Sequence, residues 1–84
     1  MSHFYIEHIP TGRKFTPNDD KSFRNGRNWR KSKATLIPGE NEAYERLFRT
    51  LDQHQSGEKK LTIRDWDGYI RERDFKVVQA NAIL

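Results

Sequence analysis

Apolar residues recur along this chain in three different rhythms, and each rhythm predicts a different element. Near the start, Phe4, Tyr5, Ile6 and Ile9 are followed by Pro10, Thr11 and Gly12 and then by Phe15. Aromatic and β-branched residues suit a pleated surface. Pro-Thr-Gly supplies a fixed φ and a permissive glycine for a tight reversal, so this stretch is expected to form a β-hairpin. Further on the spacing becomes helical. Ala43, Tyr44, Leu47, Phe48 and Leu51 share one stripe, with Glu40, Glu42 and Glu45 in the opening turns and Gly57 at the end, which predicts an amphipathic helix. A second helix is expected to start with Thr62 as N-cap and to run to Arg73, turning Ile63, Trp66, Tyr69 and Ile70 inward. Phe75, Val77, Val78, Ala80 and Ala82 then alternate loosely. That suits a strand beside the hairpin, with a helical tail as the alternative.

Thr16 to Lys33 follows neither period. Pro17, Asn18, Asn25, Gly26 and Asn28 are turn formers there, so the stretch reads as a long irregular loop. A loop of that length in a small domain usually carries function or is disordered.

Charge makes that loop the centre of interest. The chain's net charge is +4, but Arg13, Lys14, Lys21, Arg24, Arg27, Arg30, Lys31 and Lys33 face only Asp19 and Asp20, so residues 13–33 carry +6 and the rest of the chain −2. A near-neutral body bearing one cationic segment is the electrostatic footprint of a polyanion binder. Phe23 and Trp29 lie among the cations. Cations hold phosphates, the Arg fork grips a phosphate or a base edge, and an indole offers a stacking face to an unpaired base. The expected nucleic-acid-binding set is therefore Arg13, Lys14, Lys21, Arg24, Arg27, Trp29, Arg30, Lys31 and Lys33. RNA is preferred over DNA because an irregular Arg-, Gly- and Asn-containing loop suits unpaired RNA better than the insertion of a rigid helix into a major groove.

Length and composition bound the rest. Eighty-four residues make one domain, 1–84, with 13–33 as its basic loop segment and 40–73 as a helix hairpin. Ten aromatics argue against wholesale disorder. Cysteine is absent, so disulfides and thiolate metal sites are excluded and a reducing compartment, the cytoplasm, is expected. No apolar run is long enough for a membrane span, and no secretory signal pattern opens the chain. The expected fold is α+β: a small antiparallel sheet of the N-terminal hairpin and a C-terminal strand, with a two-helix hairpin packed on one face and a long basic loop. Its core would use Phe4, Ile6, Tyr44, Leu47, Phe48, Leu51, Trp66, Ile70 and Val77.

One stretch resembles an EF-hand. Glu42 to Asp52 gives the entering helix, Asp52, His54 and Ser56 stand at the first ligand positions, and Gly57 is the turning glycine. Leu61 takes the apolar loop position and Asp65 the closing carboxylate. Glu58-Lys59-Lys60 makes the loop two residues too long, His54 replaces an oxygen ligand, and Asp65 stands where a bidentate Glu is usual. The stretch is therefore read as a structural helix hairpin, and no metal or cofactor is assigned.

A short cysteine-free chain with a basic loop on a minimal α+β body also resembles the small accessory proteins by which tailed phages disarm host factors, RNA-binding toxin inhibitors among them. That resemblance implies a non-catalytic protein that binds RNA through its Arg/Trp loop and inhibits a nuclease or toxin. The alternative from another class is a protein-binding inhibitor whose loop docks on an acidic host protein. A third reading is a metal-free ribonuclease using His8 or His54 with Lys14, although no catalytic motif selects these residues.

Overall fold

The computed structural model describes residues 2–16, 29–31 and 33–80. Its elements are β1 (His3–His8), β2 (Arg13–Phe15), β3 (Trp29–Arg30), α1 (Glu40–Ser56), a 3₁₀ turn (Glu72–Asp74) and β4 (Phe75–Ala80). The strands form one antiparallel sheet in the order β3-β2-β1-β4.

The hairpin turns where Pro10-Thr11-Gly12 predicts. His8 pairs with Arg13, the Gly12 N–H donates to the His8 carbonyl at 2.8 Å, and Gly12 takes φ 72°, a left-handed conformation that costs a glycine little. Beyond β2, Thr35 donates to the Phe15 carbonyl at 3.0 Å. Phe4 and Ile37 then exchange backbone bonds of 2.8 and 2.7 Å, so the chain before α1 continues along the N-terminal half of β1. On the other side β4 pairs with β1 over its whole length, from His3 with Ala80 to His8 with Phe75. Phe75–Ala80 thus form a strand, as their alternation predicts, while Ala82 lies outside the described residues.

Pleating sends alternate residues to opposite faces, and directly opposed residues share a face. Ile6, Val77, His8, Phe75, Phe15 and Trp29 accordingly lie on one face, where α1 packs against β1 and β4. The core comprises Ile6, Phe15, Trp29, Ile37, Ala43, Leu47, Leu51, Leu61, Ile63 and Phe75, with Phe4, Trp66, Ile70 and Val77 partly buried against it.

Two expectations are corrected. On α1 only Ala43, Leu47 and Leu51 are buried, whereas Tyr44 and Phe48 are about 40% exposed and stack on each other with ring centroids 6.1 Å apart. The contact with a small sheet is narrow and uses one i, i+4, i+8 row, which leaves the neighbouring row outside.

The second correction concerns the helix hairpin, because α1 is the only α-helix among the described residues. Gly57 closes α1 at φ 80°, and residues 57–71 then form an irregular connection. Two local features oppose a helix there. Asp65 takes φ 66°, outside the right-handed helical region. The Trp66 indole folds over Gly68 so closely that a Cβ on that glycine would lie 2.7 Å from Cζ2, while Nε1 donates to the Tyr69 carbonyl at 3.2 Å. The connection still buries Leu61 and Ile63, but Tyr69 is 79% exposed. The EF-hand frame disappears with the helix. The Leu61 N–H donates to His54 Nδ1 at 2.9 Å, and the Asp65 carboxylate is bound by Arg13 on β2.

Candidate nucleic-acid interface

The predicted binding set is divided by the sheet. Trp29 goes to the core, only 1% exposed, with its ring centroid 5.2 Å from that of Phe15 and 5.3 Å from that of Phe75. A stacking indole must present its face to a base, so in this fold Trp29 cannot play that part. Its place in the core is the outcome of register, since Trp29 pairs with Phe15 on the face that α1 covers.

Arg13 is also turned away from a ligand. It pairs with His8 and shares the core face, with its side chain 13% exposed. Its guanidinium donates to the Trp29 carbonyl at 3.2 Å and to Asp65 Oδ2 at 2.8 Å. That hydrogen bond, aided by the charges of Arg13, Lys31 and Arg64, holds the Asp65 carboxyl below its usual pKa. Arg13 is thus matched to a carboxylate of its own chain.

The remaining cations collect on the other face. Lys14 is flanked by Arg30 on β3 and Glu7 on β1, and Glu7 is flanked in turn by Lys76 on β4. Register therefore lays Arg30, Lys14, Glu7 and Lys76 in one row across the whole sheet. At about 4.8 Å per strand, the row spans roughly 14 Å. Three cations against one carboxylate leave it at +2. Lys76 Nζ stands 3.6 Å from Glu7 Oε2, and Lys14 Nζ donates to the Lys31 carbonyl at 3.0 Å and the Gly12 carbonyl at 3.4 Å. Lys31 and Lys33 follow β3 and are exposed. Among the described residues, α1 and the 57–71 connection pack on the face of Ile6 and His8, opposite this row. Lys21, Arg24 and Arg27 lie outside the described residues.

Sequence reasoning overlooked Lys76. It stands alone among apolar residues, and only the alternation Phe75-Lys76-Val77 marks it as the outward member of a strand.

The sheet also separates the groups considered for acid-base work. His8 lies on the core face, fully buried, with Nδ1 2.8 Å from the Thr11 hydroxyl, whereas Lys14 belongs to the opposite face. Burial pushes the His8 pKa below its usual value against a smaller upward pull from Asp74. His54 is engaged by the backbone of the 57–71 connection. Among the described residues no three His, Asp or Glu side chains gather as a metal site requires, and no helix is long and apolar enough to cross a membrane. In comparisons with known proteins, no family model, curated protein or solved structure matches this chain.

Proposed function

We propose that this chain is a non-catalytic RNA-binding protein whose interface combines the cationic 13–33 segment with the outer face of the sheet. One observation carries this reading. The register of four strands gathers Lys14, Arg30 and Lys76, which are far apart in sequence, into a row on the face away from the helix, beside exposed Lys31 and Lys33. Glu7 is the one carboxylate in that row, and Asp19 and Asp20 are the acids of the 13–33 segment; other acids lie elsewhere. Glu40, Glu42, Glu45 and Asp52 are on α1, and Asp65 is engaged by Arg13. A cationic plane opposite an acidic helix gives a polyanion one preferred side of approach.

A cationic sheet face joined to a segment rich in Arg, Lys and Asn favours unpaired RNA over duplex DNA. Sequence-specific capture of a duplex relies on an element that enters a groove, whereas single strands lie across a surface and are held by their phosphates.

The test is an anisotropy titration of labelled single-stranded RNA, the matching DNA strand and both duplexes across a salt series. Tightest binding to the RNA strand, weakening steeply as salt rises, is expected. Failure to bind any of the four at low salt overturns the reading. Material absorbing at 260 nm that co-purifies and is removed by ribonuclease would support it. A co-purifying acidic protein that survives ribonuclease would replace RNA with a protein partner.

A further inference from the structure

The geometry points to Tyr5 as the residue that stacks an unpaired base, which gives the interface its selectivity for single-stranded over duplex RNA. This inference rests on the RNA-binding reading and deepens it.

The argument starts from register. Tyr5 is two residues before Glu7 on β1, and alternation puts both on the outer face. Six other aromatic or imidazole side chains sit on the strands, and one of them, His3, shares the outer face with Tyr5. Phe4, His8, Phe15, Trp29 and Phe75 all belong to the core face, and they are buried or packed against the core. Among the described residues, Tyr5 is thus the one phenylalanine, tyrosine or tryptophan of the strands that shares a face with Lys14, Arg30 and Lys76. It is half-buried, and its directly opposed neighbour on β4 is Val78. Among the described residues no aromatic contact and no hydrogen bond engages its ring or hydroxyl. The apolar side chain beside it offers a floor on which a second flat group can lie.

Spacing fits the same role. Two residues along a strand separate the Tyr5 row from the charged row by about 7 Å. A nucleotide whose phosphate lies against Lys14 or Lys76 therefore has its base to one side of the charged row, over Tyr5 and Val78. Stacking on an aromatic is indifferent to which base it is, but it requires a base free of its pairing partner. Phosphate contacts do not discriminate in that way, since a duplex presents phosphates as well as a single strand does. The cations thus hold the backbone and Tyr5 reads the unpaired state.

Tyr5→Leu keeps an apolar side chain of strand-compatible size and removes the π face, while Tyr5→Phe keeps the ring and removes the hydroxyl. Three probes are titrated at several salt concentrations: a single-stranded RNA, its duplex and inorganic polyphosphate, a polyanion without bases. Tyr5→Leu is expected to lose about 5- to 150-fold in affinity for single-stranded RNA. It should bind duplex and polyphosphate like the parent and keep the parent's salt slope, and Tyr5→Phe should retain the parent's affinity. In the unsubstituted protein, the Tyr5 ring protons should move upfield in NMR spectra as single-stranded RNA is added, and should not respond to polyphosphate. Parental affinity of Tyr5→Leu for single-stranded RNA would overturn the stacking role while leaving the RNA-binding reading intact. So would an equal loss on all three probes, or a Tyr5 ring unmoved by RNA. Absence of binding to any probe by the parent would overturn both.

Discussion

Arg13 and Asp65 are 52 positions apart in the chain, and their side chains meet at 2.8 Å, fastening the irregular 57–71 connection to the hairpin. The pair is asymmetric. The guanidinium is largely enclosed, while the carboxylate is open to solvent and sits on a backbone with φ 66°. Losing Asp65 therefore strands a cation that is poorly placed to recover water. Asp65→Ala is expected to lower Tm and to loosen the 57–71 connection in hydrogen exchange more than β1 or β4. Asp65→Asn, which tolerates the same backbone, should lose only the charge. A parental exchange pattern in Asp65→Ala would show that the connection holds itself in place.

The same pair sets a pH dependence at the acid end. Because Arg13 holds the folded-state pKa of Asp65 below the ordinary 3.8, the unfolded chain takes up that proton first as pH falls. The stability it contributes is complete above that ordinary value and is lost as pH drops through the lower, folded one. A plot of Tm against pH should fall less steeply in this acid window for Asp65→Asn than for the parent.

His8 sets a second dependence nearer neutrality. Its ring lies 4.9 Å from both Trp66 and Phe75, fully buried, and burial lowers its pKa below 6.5. Above that ordinary value both states hold the neutral ring, whereas below it the unfolded chain binds a proton that the folded chain resists, so stability declines as pH falls. Melting from pH 8 to pH 5 should show a decline that is shallower in His8→Phe. If the two profiles run parallel, burial does not exclude the proton from this ring.

Packing predicts which aromatics matter for stability. Trp29 is enclosed by Phe15 and Phe75, so Trp29→Ala should cost about 3–5 kcal/mol, as deletion of a buried aromatic does. Phe48 is 43% exposed, and Phe48→Ala should cost roughly 1 kcal/mol. Equal losses in chemical denaturation would mean that the outer row of α1 is covered in solution.

What could be read from the chain and what could not divides along one physical line. The β1–β2 hairpin, the limits of α1 and the outward-inward alternation of β4 follow from local chemistry: a Pro-Thr-Gly reversal, acids at a helix start with glycine at its end, and a two-residue period. The 62–73 stretch met the local criteria for a helix as well. In the fold it takes another course: Asp65, at φ 66°, is bound by Arg13, far away in sequence, and the Trp66 ring lies over Gly68. The proposed interface was half legible for the same reason. Excess charge marked Lys14, Arg30, Lys31 and Lys33, but alternation within one strand cannot say which strand lies next to it. Only the pairing of β3, β2, β1 and β4 turns Trp29 into core, takes Arg13 out of the surface and brings in Lys76 and Tyr5.

The two parts of the proposed interface are separable by charge removal, because each cation that no longer neutralises a phosphate of a single strand flattens the logarithmic salt dependence by about 0.7. Replacing Lys14 and Lys76 with Gln tests the sheet face, and should flatten the slope by about 1.4 if each side chain meets one phosphate. Replacing Arg24, Arg27 and Lys31 with Gln tests the segment and should flatten it by about 2.1. Glu7 supplies an opposite control, since it is the sole carboxylate in the row and lies 3.6 Å from Lys76. Glu7→Gln removes a repulsion and frees Lys76, so it should tighten RNA binding at low salt. Circular dichroism should confirm that each variant keeps the parental fold. Should Lys14 and Lys76 prove silent while the segment variant loses binding, the sheet face is a scaffold and the 13–33 segment acts without it. If Glu7→Gln instead weakens binding in a folded protein, the carboxylate positions Lys76 for the phosphate and does not oppose it.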